Sequence, residues 1–148
     1  MRIVIDARYV NDHFPGIGRY LYNLLRALPE LESPHTFVVL FHPDLPNTRF
    51  DMAALAYHRA LRLIPMRARP FGAAEQWVVP RLLRTSHADL YHAPYYVRPY
   101  FGIPCPSVVT LYDAIPHLFP AESSWRARLL FDTLTRLAIR ASDRVVAI

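Results

Sequence analysis

"MRIVIDARYVNDHFPGIGRYLYNLL", residues 1–25, changes its hydrophobic period part-way along. Arg2 to Ile5 forms a short apolar run that stops at Asp6, the pattern of a buried strand. Farther on, Ile17, Tyr20, Leu21, Leu24, Leu25 and Leu28 recur at i, i+3, i+4, i+7, i+8 and i+11, one stripe of an amphipathic helix. A strand feeding a helix through a loop is the opening of a βα unit. Gly16 and Gly18 stand where that loop meets the helix. Glycine lets a backbone come close to a ligand, and a helix N-terminus offers unpaired N–H groups and a partial positive charge. A phosphate is the usual guest of such an end. The alternative reading is that the two glycines merely turn the loop into the helix.

Working outward, "TFVVLF" at 36–41 is a continuous β-branched and aromatic run, the mark of a strand covered on both faces. A weaker strand is predicted over 60–65, and a helix over 71–87 that Pro80 kinks or restarts. Further strands are predicted at 89–94 and 107–116, separated by a loop rich in proline and aromatic residues. Ser123 or Ser124 can cap the next helix, whose stripe is Leu130, Leu134, Leu137, Ala138 and Ala141. "DRVVAI" reads as a last strand. Strands alternating with helices predict one α/β domain, Rossmann-like and three-layered, with a mainly parallel sheet. The naked apolar strand at 145–148 suggests that a further piece follows.

Composition narrows the function classes. The chain has 148 residues, 53% of them hydrophobic and 20% charged, a globular balance with no low-complexity tract. No run approaches the length of a membrane helix, and Asp6 and Arg8 interrupt the apolar start too early for a secretory signal. A cytoplasmic protein is expected, in peripheral contact with the inner face of a membrane if with any. Cys105 is alone, so no disulfide framework or thiolate metal site can be built, and the seven histidines show no metal-ligand spacing. The net charge is +5, and all seventeen basic residues are arginine, a side chain whose fork suits phosphate and carboxylate. These arginines are scattered rather than clustered, which argues against a nucleic-acid groove.

The dinucleotide fingerprint G-x-G-x-x-G fails here: Leu21 stands where the third glycine belongs, and about ten residues separate the strand end from Gly16. A nucleotide-dependent oxidoreductase or epimerase is therefore disfavoured. A Walker loop is excluded because the chain has no lysine. In an open parallel sheet, ligands bind beyond the carboxyl ends of the strands. Those ends carry Asp6 and Arg8, then His92, then Tyr112 with Asp113. All are expected to converge on the edge where Gly16, Gly18 and Arg19 lie. His92 could instead be a satisfied turn histidine, Asp113 a turn cap and Tyr112 ordinary packing.

Four blocks carry a resemblance: "RIVIDARYV" with "GIGRYLYNLLRAL", "ADLYHAPYY", "PSVVTLYDAIPHLFP" and "ASDRVVAI". In this order they resemble the N-terminal domain of family 4 glycosyltransferases, retaining enzymes of GT-B architecture whose two Rossmann-like domains face each other across a cleft. The resemblance implies transfer of a sugar, of hexosyl type, from a nucleotide-sugar donor to a sugar or lipid-linked acceptor hydroxyl. It implies no separate cofactor and no metal. The present residues, 1–148, would be the acceptor side, and a donor-binding C-terminal domain would be the partner that supplies most nucleotide contacts. The isolated piece would then be inactive.

The glycine loop, Gly16 to Arg19, resembles the one that lies beside a donor diphosphate or acceptor phosphate, so a side chain at Gly18 is expected to intrude on that space. Many relatives carry histidine where this chain has Tyr112. A phenol with pKa near 10 is a poor proton shuttle at neutral pH, so the resemblance leaves Tyr112 only a sugar-facing position, with Asp113 beside it. No catalytic residue is identified. A reading from another class is a non-enzymatic domain that binds a phosphorylated or glycosylated ligand.

Overall fold

A computed structural model describes residues 1–112 and 124–148. In chain order the elements are β1 (Arg2–Asp6), α1 (Pro15–Ala27), a 3₁₀ turn (Leu28–Leu31), β2 (Thr36–Phe41), α2 (Met52–Leu55), β3 (Leu61–Pro65), α3 (Glu75–Thr85), β4 (Leu90–Ala93), β5 (Ser107–Leu111), α4 (Trp125–Arg140) and β6 (Arg144–Ala147). The six strands form one sheet in the order β3-β2-β1-β4-β5-β6. Every neighbouring pair is parallel. The fold class is the expected one: α/β, Rossmann-like and layered on both faces.

Alternation along the strands explains the layers. Ile5, Phe37, Val39 and Leu61 turn to one face and pack with Leu21 and Leu25 of α1. Val4, Val38, Leu40 and Tyr91 turn to the other and pack with Val79 and Leu83 of α3. Both faces of the inner strands are therefore covered, which is why their sequences read as unbroken apolar runs. The helix containing Pro80 runs from Glu75 to Thr85 with the proline buried inside it, rather than over the whole predicted span. Ser124 caps α4 by accepting a hydrogen bond from the Ala127 amide. The predicted α4 stripe holds except at its start: Ala138 is buried and Leu134, Leu137 and Ala141 are partly buried, but Leu130 is 59% exposed and Phe131 is buried in its place.

The predicted strand over 107–116 is observed over Ser107–Leu111. Asp113, His117 and Ser123 lie outside the described residues. Among the described residues no helix is long and apolar enough to cross a membrane.

Candidate functional site at the carboxyl edge of the sheet

The chain leaves β1 toward β2 and β3 and returns to β4 on the opposite side of β1. That reversal opens a crevice beyond the carboxyl ends of β1 and β4, the place where open parallel sheets hold ligands. Asp6 and Arg8 sit at its base, but they are not available to a ligand. Arg8 is buried, and its Nε and Nη2 donate to the two oxygens of Asp6 at 2.8 and 2.6 Å. The same Nη2 donates to Glu75 at 2.9 Å, and Nη1 donates to the Ala68 carbonyl at 2.7 Å. Tyr91 adds its hydroxyl to Asp6 at 3.1 Å. This closed network ties β1 to β4 and to the first turn of α3.

Two carboxylates share one guanidinium there. Burial pushes the Glu75 carboxyl up to about 7, an effect the Asp6 charge reinforces and Arg8 only partly offsets. For Arg8, burial pulls downward, yet the attraction of Asp6 and the hydrogen bonds to it hold the guanidinium above its ordinary value. Farther along the crevice, Arg98 lies over the Tyr91 ring at 5.3 Å, donates to the Pro99 carbonyl and to Ser142, and keeps its Nη2 without a hydrogen-bond partner. The expectation that Asp6 and Arg8 face a ligand is corrected: they are the internal frame of the edge. Their spacing, an acid at the strand end and arginine two residues on, was visible. The third member, Glu75, comes from a residue 67 positions away.

The two glycines separate into different roles. A Cβ on Gly16 would meet nothing within 4 Å. One on Gly18 would come within 2.9 Å of Phe50 Cε2 and 3.2 Å of the Tyr9 carbonyl oxygen. Gly18 is buried with Leu21 and Leu25, so its smallness admits the loop packed on α1 and not a ligand. Position alone could have told this, because Gly18 lies three and seven residues before those two leucines, on the apolar stripe itself.

Gly16 and Arg19 are exposed at the start of α1. That helix end has Pro15 in its first turn, no side-chain cap and no acidic residue nearby in the turn. Its positive end is therefore open to an incoming anion.

His92 and Tyr112 gather around Tyr20 of α1. Tyr20 and Tyr112 meet edge to face with centroids 5.6 Å apart. The Tyr112 hydroxyl is buried without a hydrogen-bond partner, and burial raises its pKa, so it stays a neutral phenol. His92 pairs through Nε2 with Thr110 Oγ1 at 2.8 Å. Burial lowers its pKa to about 4, leaving a neutral imidazole at physiological pH. It lines, with Tyr20, Leu24, Leu90, Val108 and Val146, an apolar groove of about 230 Å³ on the α1 face of the sheet. His92 thus sits beneath the edge rather than at its rim.

Among the described residues no group of three His, Cys, Asp or Glu side chains could hold a metal. The chemistry on offer is anion binding by an open helix end and arginine, beside an aromatic wall.

The sequence profile described as Glycosyltransferase Family 4 matches residues 15–148. The chain belongs to glycosyltransferase family 4. The match covers the family's N-terminal domain and begins at the first residue of α1, so every helix and strand after β1 lies within it. Searches of curated proteins and of solved structures give no significant match. The open α1 terminus and the Tyr20–Tyr112 pair both belong to the carboxyl edge of this domain.

Proposed function

We propose that this family 4 domain is the acceptor side of a retaining GT-B glycosyltransferase that moves a hexosyl group from a nucleotide-sugar donor to an acceptor hydroxyl. The observation that carries the reading is the uncapped, acid-free N-terminus of α1, beside Gly16 and Arg19, at the carboxyl edge of a domain of this family. As the bond to the leaving diphosphate breaks, negative charge grows on its oxygens. Preorganised N–H groups and a guanidinium aimed there lower the barrier without a metal or a separate cofactor. Tyr112 and Tyr20 form the adjacent wall for the sugar, and Asp113 follows directly in sequence. A second Rossmann-like domain supplies the nucleotide contacts.

The site of action in this reading is the cytoplasmic side, in peripheral contact with a membrane surface. Exposed Trp77 and Phe101, with Arg81 and Arg84 on the same helix and loop region, suit an anionic headgroup layer. The experiment uses the full-length enzyme: candidate nucleotide sugars are supplied with acceptors, and the anomeric configuration of the product is read by NMR. Retained configuration supports the proposal, and inversion overturns it. Arg19→Ala should lower kcat/KM by roughly 10²-fold with an unchanged Tm, the scale of losing one preorganised anion contact.

A further inference from the structure

A second cavity opens at the same edge, on the other side of the α1 terminus. It measures about 210 Å³ and is built by three loops: Asn11, His13 and Phe14 after β1, Leu45 after β2, and Arg69, Pro70 and Phe71 after β3. Phe14 and Phe71 are stacked, with centroids 5.9 Å apart and planes only 11° from parallel. Phe14 also packs edge to face on Tyr9 at 5.1 Å, so the floor of the cavity rests on the core.

Two features of Phe71 set it apart. Its ring is 54% exposed although it belongs to this aromatic cluster. Its φ is +65°, a left-handed conformation that a bulky residue adopts at a cost glycine would avoid, and Gly72 stands immediately beside it. The strain is offset by a hydrogen bond from the Phe71 backbone to the buried Glu75 carboxyl and by ring contacts with Tyr9, Phe14 and Tyr95, which hold the exposed part of the ring at the cavity.

The lining tells what fits. Its walls are Leu45, Pro70, the two phenyl rings and the His13 ring, which packs edge to face on Phe14 at 4.5 Å. Asn11 is already engaged, its Nδ2 donating to the Arg8 carbonyl and its Oδ1 accepting from the His13 amide. A polyhydroxylated ring would lose water here and find few groups to replace it. An aliphatic chain would not. At the rim stand Arg69, which has no ion pair or side-chain hydrogen bond among the described residues, and the α1 terminus that Phe14 introduces.

We propose that this cavity binds the hydrocarbon part of an amphiphilic phosphate, with Arg69 taking the anionic group. That this amphiphile is the acceptor rests on the transferase reading above. Its binding does not.

Calorimetric titration of the protein with a series of alkyl phosphates, butyl to octyl and below their micelle concentrations, tests the site. Affinity should rise about fourfold per added methylene, from the burial of each CH₂, and level off when the cavity is filled. Phe71→Gly, which relieves the strained φ but removes the ring contacts with Tyr9, Phe14 and Tyr95, should flatten the chain-length slope in protein that circular dichroism shows to be folded. Arg69→Gln should weaken every member of the series alike and leave the slope unchanged.

No dependence on chain length, or a slope untouched by Phe71→Gly, overturns the proposal. So does tighter binding of methyl glucoside than of hexyl phosphate, which would make the cavity a sugar subsite. If alkyl phosphates bind as stated but no lipid phosphate accepts sugar in the full-length enzyme, the cavity stands and the acceptor assignment falls.

Discussion

β2 and β6 carry closely similar runs, TFVVLF and RVVA, and end in opposite surroundings. In β2, Val38 and Val39 are 2% and 0% exposed. In β6, Val145 and Val146 are 42% and 39% exposed, and every residue of the strand is exposed. The difference is not composition. β2 lies between β1 and β3, with α1 on one face and α3 on the other. β6 pairs only with β5, and α4 presents Leu129 and Leu130 to solvent rather than to it. A β-branched run fits a pleated surface, but two hydrogen-bonded neighbours and two covering helices are what remove it from water. The centre of the sheet around β2 is finished on both faces, and the side running from β4 to β6 is open toward α1, where the apolar groove lies.

The strongest test of this contrast is Arg8→Met, aimed at the closed frame. It leaves Asp6 and Glu75 buried together without their cation, and should cost about 3–5 kcal/mol in urea unfolding. A loss below 1 kcal/mol would mean that the network is not the frame.

Acid titration comes next, comparing His92, which lines the open groove, with Glu75 in the closed frame. His92 has a folded pKa near 4, below its unfolded value, so the unfolded chain binds the extra proton between the two. Its contribution is intact above about pH 6.5 and is lost as pH falls toward 4, a change on the order of 3 kcal/mol. Glu75 has a folded pKa near 7, above its unfolded value, and acts in the opposite sense: its contribution is present below about 4.5 and is lost as pH rises through 7. Stability measured against pH should therefore flatten at the acid side in His92→Gln and steepen in Glu75→Gln. Identical profiles would show that burial of the two groups does not differ between folded and unfolded chains.

Truncation of the matching valines comes third. Val39→Ala should cost about 1.5–3 kcal/mol, the worth of a fully buried branched side chain, and Val146→Ala under about 0.5 kcal/mol. Equal losses would erase the comparison. The smallest effect concerns the glycines. Gly18→Ala should destabilise by about 1 kcal/mol as Phe50 shifts away from the new methyl, whereas Gly16→Ala should be neutral or stabilising by some tenths. Reversal of that order in thermal unfolding would return Gly18 to the ligand side of the loop.

Periodicity and composition were enough for the six strands and the α/β class, though not for the short α2, because a stripe at helical spacing and an unbroken β-branched run each have few ways to be buried; the family resemblance came from four sequence blocks in order. The stripe over residues 17–28 even placed Gly18 on the buried face of α1, though its neighbour Gly16 suggested a shared role for the pair. The site was legible only as a list of strand ends.

Which of those ends reach solvent depended on partners distant in sequence. Glu75 closes over Arg8 and Asp6, Thr110 holds His92, and Tyr20 meets Tyr112. The cavity between Phe14 and Phe71 needed three loops that share nothing in sequence but their position after parallel strands. Local pattern fixes what a segment can become, since propensity and spacing act over a few residues. Burial, charge state and access are properties of neighbours, and in a parallel sheet the neighbours are chosen by crossovers dozens of residues long.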